Sequence, residues 1–321
     1  MNLNYLEKPD KLLDIAYAKA RKNAHGMAKQ RTPFYTLKGK EILKMDSITD
    51  YLEETLMSYV TSFPSIDKLP GFYRDLFVAI IDVDQIRIAL SKISSAVKTL
   101  KKVRREQIVK IKEFPFVRDS KNEIKGISKV YFGRTSSIIK SLESPIKIYN
   151  DAVKKLKELP AIKTDEECYI LAGLPNVGKS TILAKITTSK PKIANYPFTT
   201  KGLNVGYFFK KHAPIQVIDT PGLLDRSLHE RNDIEKKAIT AFQHLKGTII
   251  FVIDPLSQLD EQKNLFKELK KLFSEKGFIV VINKCDLAEK EQIKEAEKMF
   301  KDNYIILEGK DLDNLKTELS K

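Results

Sequence analysis

Two successive architectures are predicted for this 321-residue chain: an antiparallel helical bundle over residues 1–160, then an α/β half over 161–321 in which a mostly parallel six-stranded sheet carries helices on both faces. Three observations predict it. Apolar residues recur at helical spacing as far as Leu159, and short β-branched runs alternate with amphipathic segments after the polar link Ile162 to Glu167. A glycine-rich loop then joins the first of those runs to a helix.

In the first half the helical spacing is carried by Leu12, Leu13, Ile15 and Ala16, and again by Ile86, Ile88, Leu90, Ile93, Val97 and Leu100. Breaks at Gly26, Pro33, Pro64, Pro70 and the polar stretch Asp119 to Gly126 divide it into about five helices, the longest expected over 84–112 and 128–159. In the second half, strands are expected over 168–172, 204–209, 214–218, 248–253, 278–282 and 304–307. The helices between them are expected over 179–187, 234–245, 261–273, 290–300 and 312–319. No internal repeat or low-complexity segment interrupts either half.

Hydrophobic residues make up 42% and charged residues 31% of the chain, a globular balance. No apolar run approaches the roughly 18 residues of a membrane span. The N-terminus lacks an apolar signal core and reads as that of a cytoplasmic protein. Cys168 and Cys285 are too few for a disulfide framework and read as reduced structural thiols. His25, His212 and His244 have no partner at metal-ligand spacing. The net charge of +15 is uneven: residues 1–166 carry +11, and residues 101–150 alone hold 13 basic against 5 acidic side chains. That bias favours a polyanion as partner, since each neutralised phosphate releases counterions, although a solvated basic surface has the same composition.

The chemistry concentrates in three ordered motifs. GLPNVGKS, comprising Gly173, Leu174, Pro175, Asn176, Val177, Gly178, Lys179 and Ser180, fits G-x-x-x-x-G-K-[ST] between a strand and a helix that continues with Thr181. There, backbone amides and the helix N-terminus cradle phosphates, Lys179 reaches the β- and γ-phosphates, and Ser180 ligates Mg²⁺. DTPG, comprising Asp219, Thr220, Pro221 and Gly222, closes an apolar strand, placing Asp219 to contact Mg²⁺ through water and the Gly222 amide to meet the γ-phosphate. Loss of that phosphate frees the glycine, so residues 223–234 form one expected switch. The polar and aromatic stretch 189–202 forms the other, with Phe198 beside two threonines. Thr200 is the expected metal ligand and Thr199 the alternative. NKCD follows the strand FIVVI. Asp286 can accept from N1–H and the exocyclic amine of guanine, Asn283 can meet the purine's other edge, and the Lys284 stem can cover the ring. The ligand is therefore GTP or GDP rather than an adenine nucleotide.

YPFTT combined with GLPNVGKS and DTPG resembles the Obg-related GTPases, most closely their Nog branch of nucleolar GTP-binding proteins and archaeal relatives. FPSIDKLPGFYRDLF at 63–77 and LHERNDIEKKAITAFQHLKG at 228–247 look like the same family. The resemblance implies a helical domain joined to a Ras-like GTPase domain, and a role in assembling the large ribosomal subunit through its precursor and rRNA. It also implies Thr200, the second Thr of FTT, as the Mg²⁺ ligand. Neither membrane, DNA nor an oligomer is implied. Eukaryotic members carry a long C-terminal extension, whereas this chain ends soon after the GTPase domain, so contacts of that extension are not carried over. The last guanine-binding loop departs from the common Ser-Ala, having Leu307, Glu308 and Gly309.

Where Ras-like enzymes use Gln to orient water, this chain has Leu223, so intrinsic hydrolysis should be slow. Asn176 holds the position that binds a monovalent cation in K⁺-dependent GTPases with a similar loop; it either helps bind K⁺ or only orders the loop. His229 and Arg231 are transition-state candidates whose alternative is a solvated helix start. In the helical half, Tyr131 and Phe132 either stack on RNA bases or pack in the core, and Lys101, Lys102, Arg104 and Arg105 are phosphate-contact candidates. Alternative functions are a GTP-sensing module with little turnover and a GTPase serving an RNA-modification or translation enzyme.

Overall fold

The computed structural model describes residues 3–116, 121–187, 191–196, 202–210, 213–300, 304–306, 315 and 319. They fall into two compact units, each of two chain segments: 1–64 with 81–157, and 65–80 with 158–321. Sixteen residues from the middle of the helical half thus belong with the second half, an excursion that periodicity alone does not reveal.

The first unit contains α1 (Pro9–His25), α2 (Pro33–Ser62), α4 (Val83–Glu113), α5 (Lys121–Lys140) and α6 (Glu143–Lys157); α3 (Gly71–Ile80) belongs to the second. Thr32 caps α2 by accepting from the Tyr35 amide, with Pro33 in the first turn where its missing N–H costs nothing. Asp82 caps α4 in the same way. The single helix expected over 128–159 is two helices broken at Ser141–Leu142. Pro145 explains the break, because its ring and absent N–H oppose a helix continuing through the turn before it. The expected break at 119–126 is shorter than supposed, since α5 begins at Lys121; residues 119 and 120 lie outside the described residues.

The two readings of the aromatic pair separate. Tyr131 is fully buried; its hydroxyl donates to Met45 O at 3.0 Å and shares a 2.8 Å bond with Thr49 Oγ1. Phe132 is half-buried. Burial pushes the Tyr131 phenol up to about 12 from an ordinary 10.0. The neutral phenol therefore stabilises the unit below pH 10, and that contribution is lost as pH climbs from 10 to about 12. Tyr131→Phe should cost this unit about 1–3 kcal/mol by stranding the Thr49 hydroxyl, and should remove its share of the alkaline transition. Urea melts at neutral and alkaline pH check both; coincident curves for the two proteins would rule the buried hydrogen bond out as a stabiliser.

The second unit is a seven-stranded sheet in the order β2-β3-β4-β1-β5-β6-β7. Its strands are β1 (Cys168–Ala172), β2 (Lys192–Ala194), β3 (Leu203–Lys210), β4 (Ala213–Asp219), β5 (Gly247–Ile253), β6 (Phe278–Ile282) and β7 (Tyr304–Ile306). The six expected strands are present, and the three-residue β2 adds an antiparallel edge. Pairs β1–β4, β1–β5, β5–β6 and β6–β7 are parallel, and β3–β4 is antiparallel. The parallel strands are near-continuous apolar runs because helices cover both faces. The unit's further helices are α7 (Lys179–Ile186), α8 (Asp233–Thr240), α9 (Leu259–Leu272) and α10 (Lys290–Met299). The helix expected at 234–245 tightens after Thr240 into a 3₁₀ turn over Ala241–His244. Of that expected at 312–319, only Leu315 and Leu319 are described, both helical and buried.

Helix α3 packs on α8 and the 3₁₀ turn that follows it. Phe72 meets Phe242 edge to face at 5.6 Å, Asp75 bonds His244 at 2.8 Å, and the Tyr73 hydroxyl donates to the carbonyls of Pro160 and Ile162. Tyr196, within the expected switch over 189–202, is buried against Phe242 and donates to Ala238 O. Cys168 and Cys285 are both buried, and burial pushes the Cys168 thiol up to about 11, as suits a packing residue.

Candidate functional site

The motifs converge at the C-terminal ends of β1, β4, β5 and β6, where the order of a parallel sheet opens a crevice. The loop between β1 and α7 requires its glycines. Gly173 has φ +135° and a Cβ there would lie 2.3 Å from Val252 O; Gly178 has φ +100° and a Cβ there would lie 2.2 Å from Asn283 Nδ2. Val177 packs into the core, while Leu174 is half-buried and Pro175, Asn176, Ser180 and Thr181 are exposed. Lys179, opening α7, is 6% exposed and donates to the carbonyls of Gly173 and Leu174, each at 2.7 Å. Burial lowers its pKa, and Asp225 and Asp219 oppose that shift.

Base-side and phosphate-side loops are joined directly. Asn283 Nδ2 donates to Val177 O at 2.9 Å, and Lys284 Nζ donates to Asn176 O at 2.8 Å and to Asp254 Oδ2 at 2.6 Å. Lys284 takes a left-handed φ of 61° to do so. Asp286 is exposed, and no described residue engages its carboxylate. Asp254 escaped the sequence reading. It directly follows β5 at 5% exposure, and Gln262 of α9 both donates to its carbonyl and accepts from its amide. Its one visible signal is an acid placed directly after the apolar run TIIFVI.

The metal-side residues also meet. Ser180 Oγ donates to Asp219 Oδ2 at 2.6 Å, and Asn204 Nδ2 donates to the same oxygen at 3.0 Å. Asp219 is fully buried, and its Oδ1 has no partner among the described residues. A hydroxyl, a carboxylate and an orphaned buried carboxylate oxygen beside a phosphate loop fit Mg²⁺, which takes one or two protein oxygens and completes its shell with water and phosphate. Asn204, like Asp254, was missed; nothing in the stretch LNVGY marks it. Thr220 is buried and donates to Leu171 O, and Pro221 is half-buried. Phe198, Thr199 and Thr200, and likewise Leu307, Glu308 and Gly309, lie outside the described residues.

After β4 the backbone folds over its own sensor. The Gly222 amide, at φ 75°, donates to Asp225 Oδ2 at 2.7 Å. Arg231, 4% exposed, donates to Gly222 O at 3.0 Å and pairs with Asp225 at 3.4 Å. Burial lowers the Arg231 pKa, and Arg226 adds to the shift while Asp225 and Glu235 oppose it. Arg231 is thus held inside this segment, whereas His229 is exposed. Leu223 is 1% exposed and packs in the core, and Leu224 O accepts from the Gly173 amide at 3.1 Å.

A phosphate loop at the sheet's crevice, a buried metal-side carboxylate beside it and an NKxD loop tied to the phosphate loop define a P-loop GTPase. Residues 169–284 match the family model described as 50S ribosome-binding GTPase, and residues 1–163 match the NOG1 N-terminal helical domain. The chain belongs to the Nog1 family. It is 36% identical to a protein of Methanocaldococcus jannaschii over 292 residues, covering 89% of this chain and 80% of that one. It is 34% identical to nucleolar GTP-binding protein 1 of Drosophila melanogaster, covering 83% of this chain and 42% of that one. A solved Plasmodium falciparum chain bearing the same name is 34% identical, covering 46% of this chain and 78% of that one at a TM-score of 0.39. The chain therefore spans less than half of the Drosophila relative. The relatives' name overturns the expectation of a cytoplasmic protein: they are named for the nucleolus, and an N-terminus without an apolar signal core is shared by nucleolar proteins and does not discriminate. No described helix is long and apolar enough to cross a membrane.

Proposed function

We propose that the protein is a GTP-controlled switch in assembly of the large ribosomal subunit, hydrolysing GTP slowly until its partner engages. The observation that carries the switch is the Gly222 amide held by Asp225. This amide is the donor a γ-phosphate needs, so GTP binding must displace the carboxylate and, with it, the Arg231 contacts to Gly222 and Asp225. In this reading Lys179 leaves the loop carbonyls for the β- and γ-phosphates, Ser180, Asp219 and Thr200 hold Mg²⁺, and Asp286 with Asn283 and Lys284 selects guanine. Bound Mg²⁺ neutralises charge that builds on the phosphates during transfer. Leu223, sunk in the core, orients no water, which supports slow turnover. Asn176, exposed within the phosphate loop, is the proposed K⁺ contact.

The relatives' names and the +11 charge of residues 1–166 support rRNA as partner of the helical half. Of the four cations singled out in α4, Lys101 pairs with Glu53 and Arg104 with Asp50 and Asp46, leaving exposed Lys102 and Arg105 as the better phosphate contacts. The same buried Leu223 favours a second reading, a GTP sensor that barely turns over.

Single-turnover hydrolysis with and without large-subunit particles, in K⁺ and in Na⁺, tests these readings together. A rate increase with particles is expected, and a faster rate in K⁺. Equal rates in the two salts remove the K⁺ contact. Absence of stimulation, joined to failure of the protein to sediment with particles in any nucleotide state, removes the ribosomal role.

A further inference from the structure

Helices α1, α2 and α5 leave a cavity of about 320 Å³ between them, lined by Tyr17, Ala20, Arg21, Lys44, Ile48 and Phe132. It lies wholly within the helical unit and plays no part in nucleotide binding. Its aromatic wall is fixed in place: the Tyr17 hydroxyl donates to Phe132 O at 3.2 Å and shares a 2.8 Å bond with Ser136 Oγ, and the two rings meet edge to face at 5.8 Å. The floor is apolar, with Ala20 and Ile48 both buried.

Charge surrounds this apolar hollow. Arg21 is exposed, and no described side chain pairs with it. Lys129 and Lys125 stand one and two turns before Phe132 on the same stripe of α5, both exposed. Lys44 is paired with buried Glu41 at 2.7 Å, Asp14 lies one turn before Tyr17, and Asp10, a turn further back, pairs with Lys140 at 3.4 Å, so five cations stand against three acids. The volume falls at the lower end of small-ligand sites, roughly 300–1,000 Å³, a size suited to one planar heterocycle. Aromatic walls for a base, with cations at the rim for its phosphates, is the combination by which proteins hold unpaired nucleotides.

We propose that this cavity takes one unstacked base of single-stranded RNA, with flanking phosphates on Arg21 and Lys129. The proposal rests on the RNA-contact reading of the helical half and gives that contact a place. Duplex RNA, whose bases stay stacked, has no means of entering it.

The test uses the full chain, a short fluorescent single-stranded RNA and a duplex of the same sequence, with affinity measured at several salt concentrations. Ala20→Leu, which fills the cavity and leaves every charge in place, should weaken single-strand binding about 10-fold without changing the salt slope or duplex binding. Arg21→Ala with Lys129→Ala should flatten the salt slope by about 1.4. The helical content of each variant by circular dichroism and the urea melt of its helical unit, compared with the unaltered chain, report that this unit is folded. Should Ala20→Leu not fold, 4-thiouridine RNA crosslinked to the unaltered chain supplies the answer, with adducts expected on Tyr17 or Phe132. Unchanged single-strand affinity in a folded Ala20→Leu protein, equal loss for the duplex, or adducts confined to other residues overturns the pocket. If those results come with binding that depends on Lys102 and Arg105, RNA contact survives without it. Failure of the unaltered chain to bind any RNA overturns both.

Discussion

Asp286→Asn is expected to lower GTP affinity by about 10⁴-fold while admitting xanthosine triphosphate, because a site that leaves buried polar groups unpaired discriminates on that scale. The carboxylate accepts from both N1–H and the exocyclic amine of guanine. A carboxamide keeps one acceptor and turns a donor toward that amine, whereas xanthine carries a carbonyl at the same place. The rest of the loop should keep its position, since Asn283 is tied to Val177 O and Lys284 to Asn176 O and Asp254. Calorimetric titration with both nucleotides measures the exchange. Undiminished GTP affinity in a folded variant would remove Asp286 from base recognition.

Asp225→Asn is expected to tighten binding of a non-hydrolysable GTP analogue by about 5-fold and to leave GDP affinity unchanged. The carboxylate competes with the γ-phosphate for the Gly222 amide and repels it as a like charge. A neutral carboxamide still gives Arg231 and Gly222 an acceptor, but a charged hydrogen bond is worth roughly 1 kcal/mol more than a neutral one, and that difference is the competition removed. Removing the acceptor altogether is the poorer experiment, because Arg231 is buried and would lose its partner. Stopped-flow measurement of both nucleotides decides the matter; an equal change for GDP and the analogue would show that Asp225 does not respond to the γ-phosphate.

What the sequence made legible follows its physics. GLPNVGKS, DTPG and NKCD could be read because backbone amides near phosphate demand glycine and guanine demands a carboxylate, requirements that leave fixed residues at fixed places. The parallel strands were legible as apolar runs between helices. Asp254 and Asn204 were not, because their importance arises from which strand ends lie side by side, and that is set by sheet order. The break at Ser141–Leu142 was missed by following apolar spacing through Pro145. The membership of α3 was hidden for a similar reason: periodicity says which face of a helix is apolar and not which surface covers it.

That membership has a consequence for synthesis. Asp75 and His244 are 169 positions apart, so α3 emerges long before the surface that will cover Phe72. At elongation rates of about 5–20 residues per second, the helix waits roughly 8–34 s with its apolar face uncovered. During that interval the nascent chain depends on its own first segment, or on a chaperone, to keep Phe72 and Leu76 from other partners. A GTPase half expressed from residue 158 onward would meet the same difficulty permanently, with Phe242 deprived of Phe72 and inclined to aggregate.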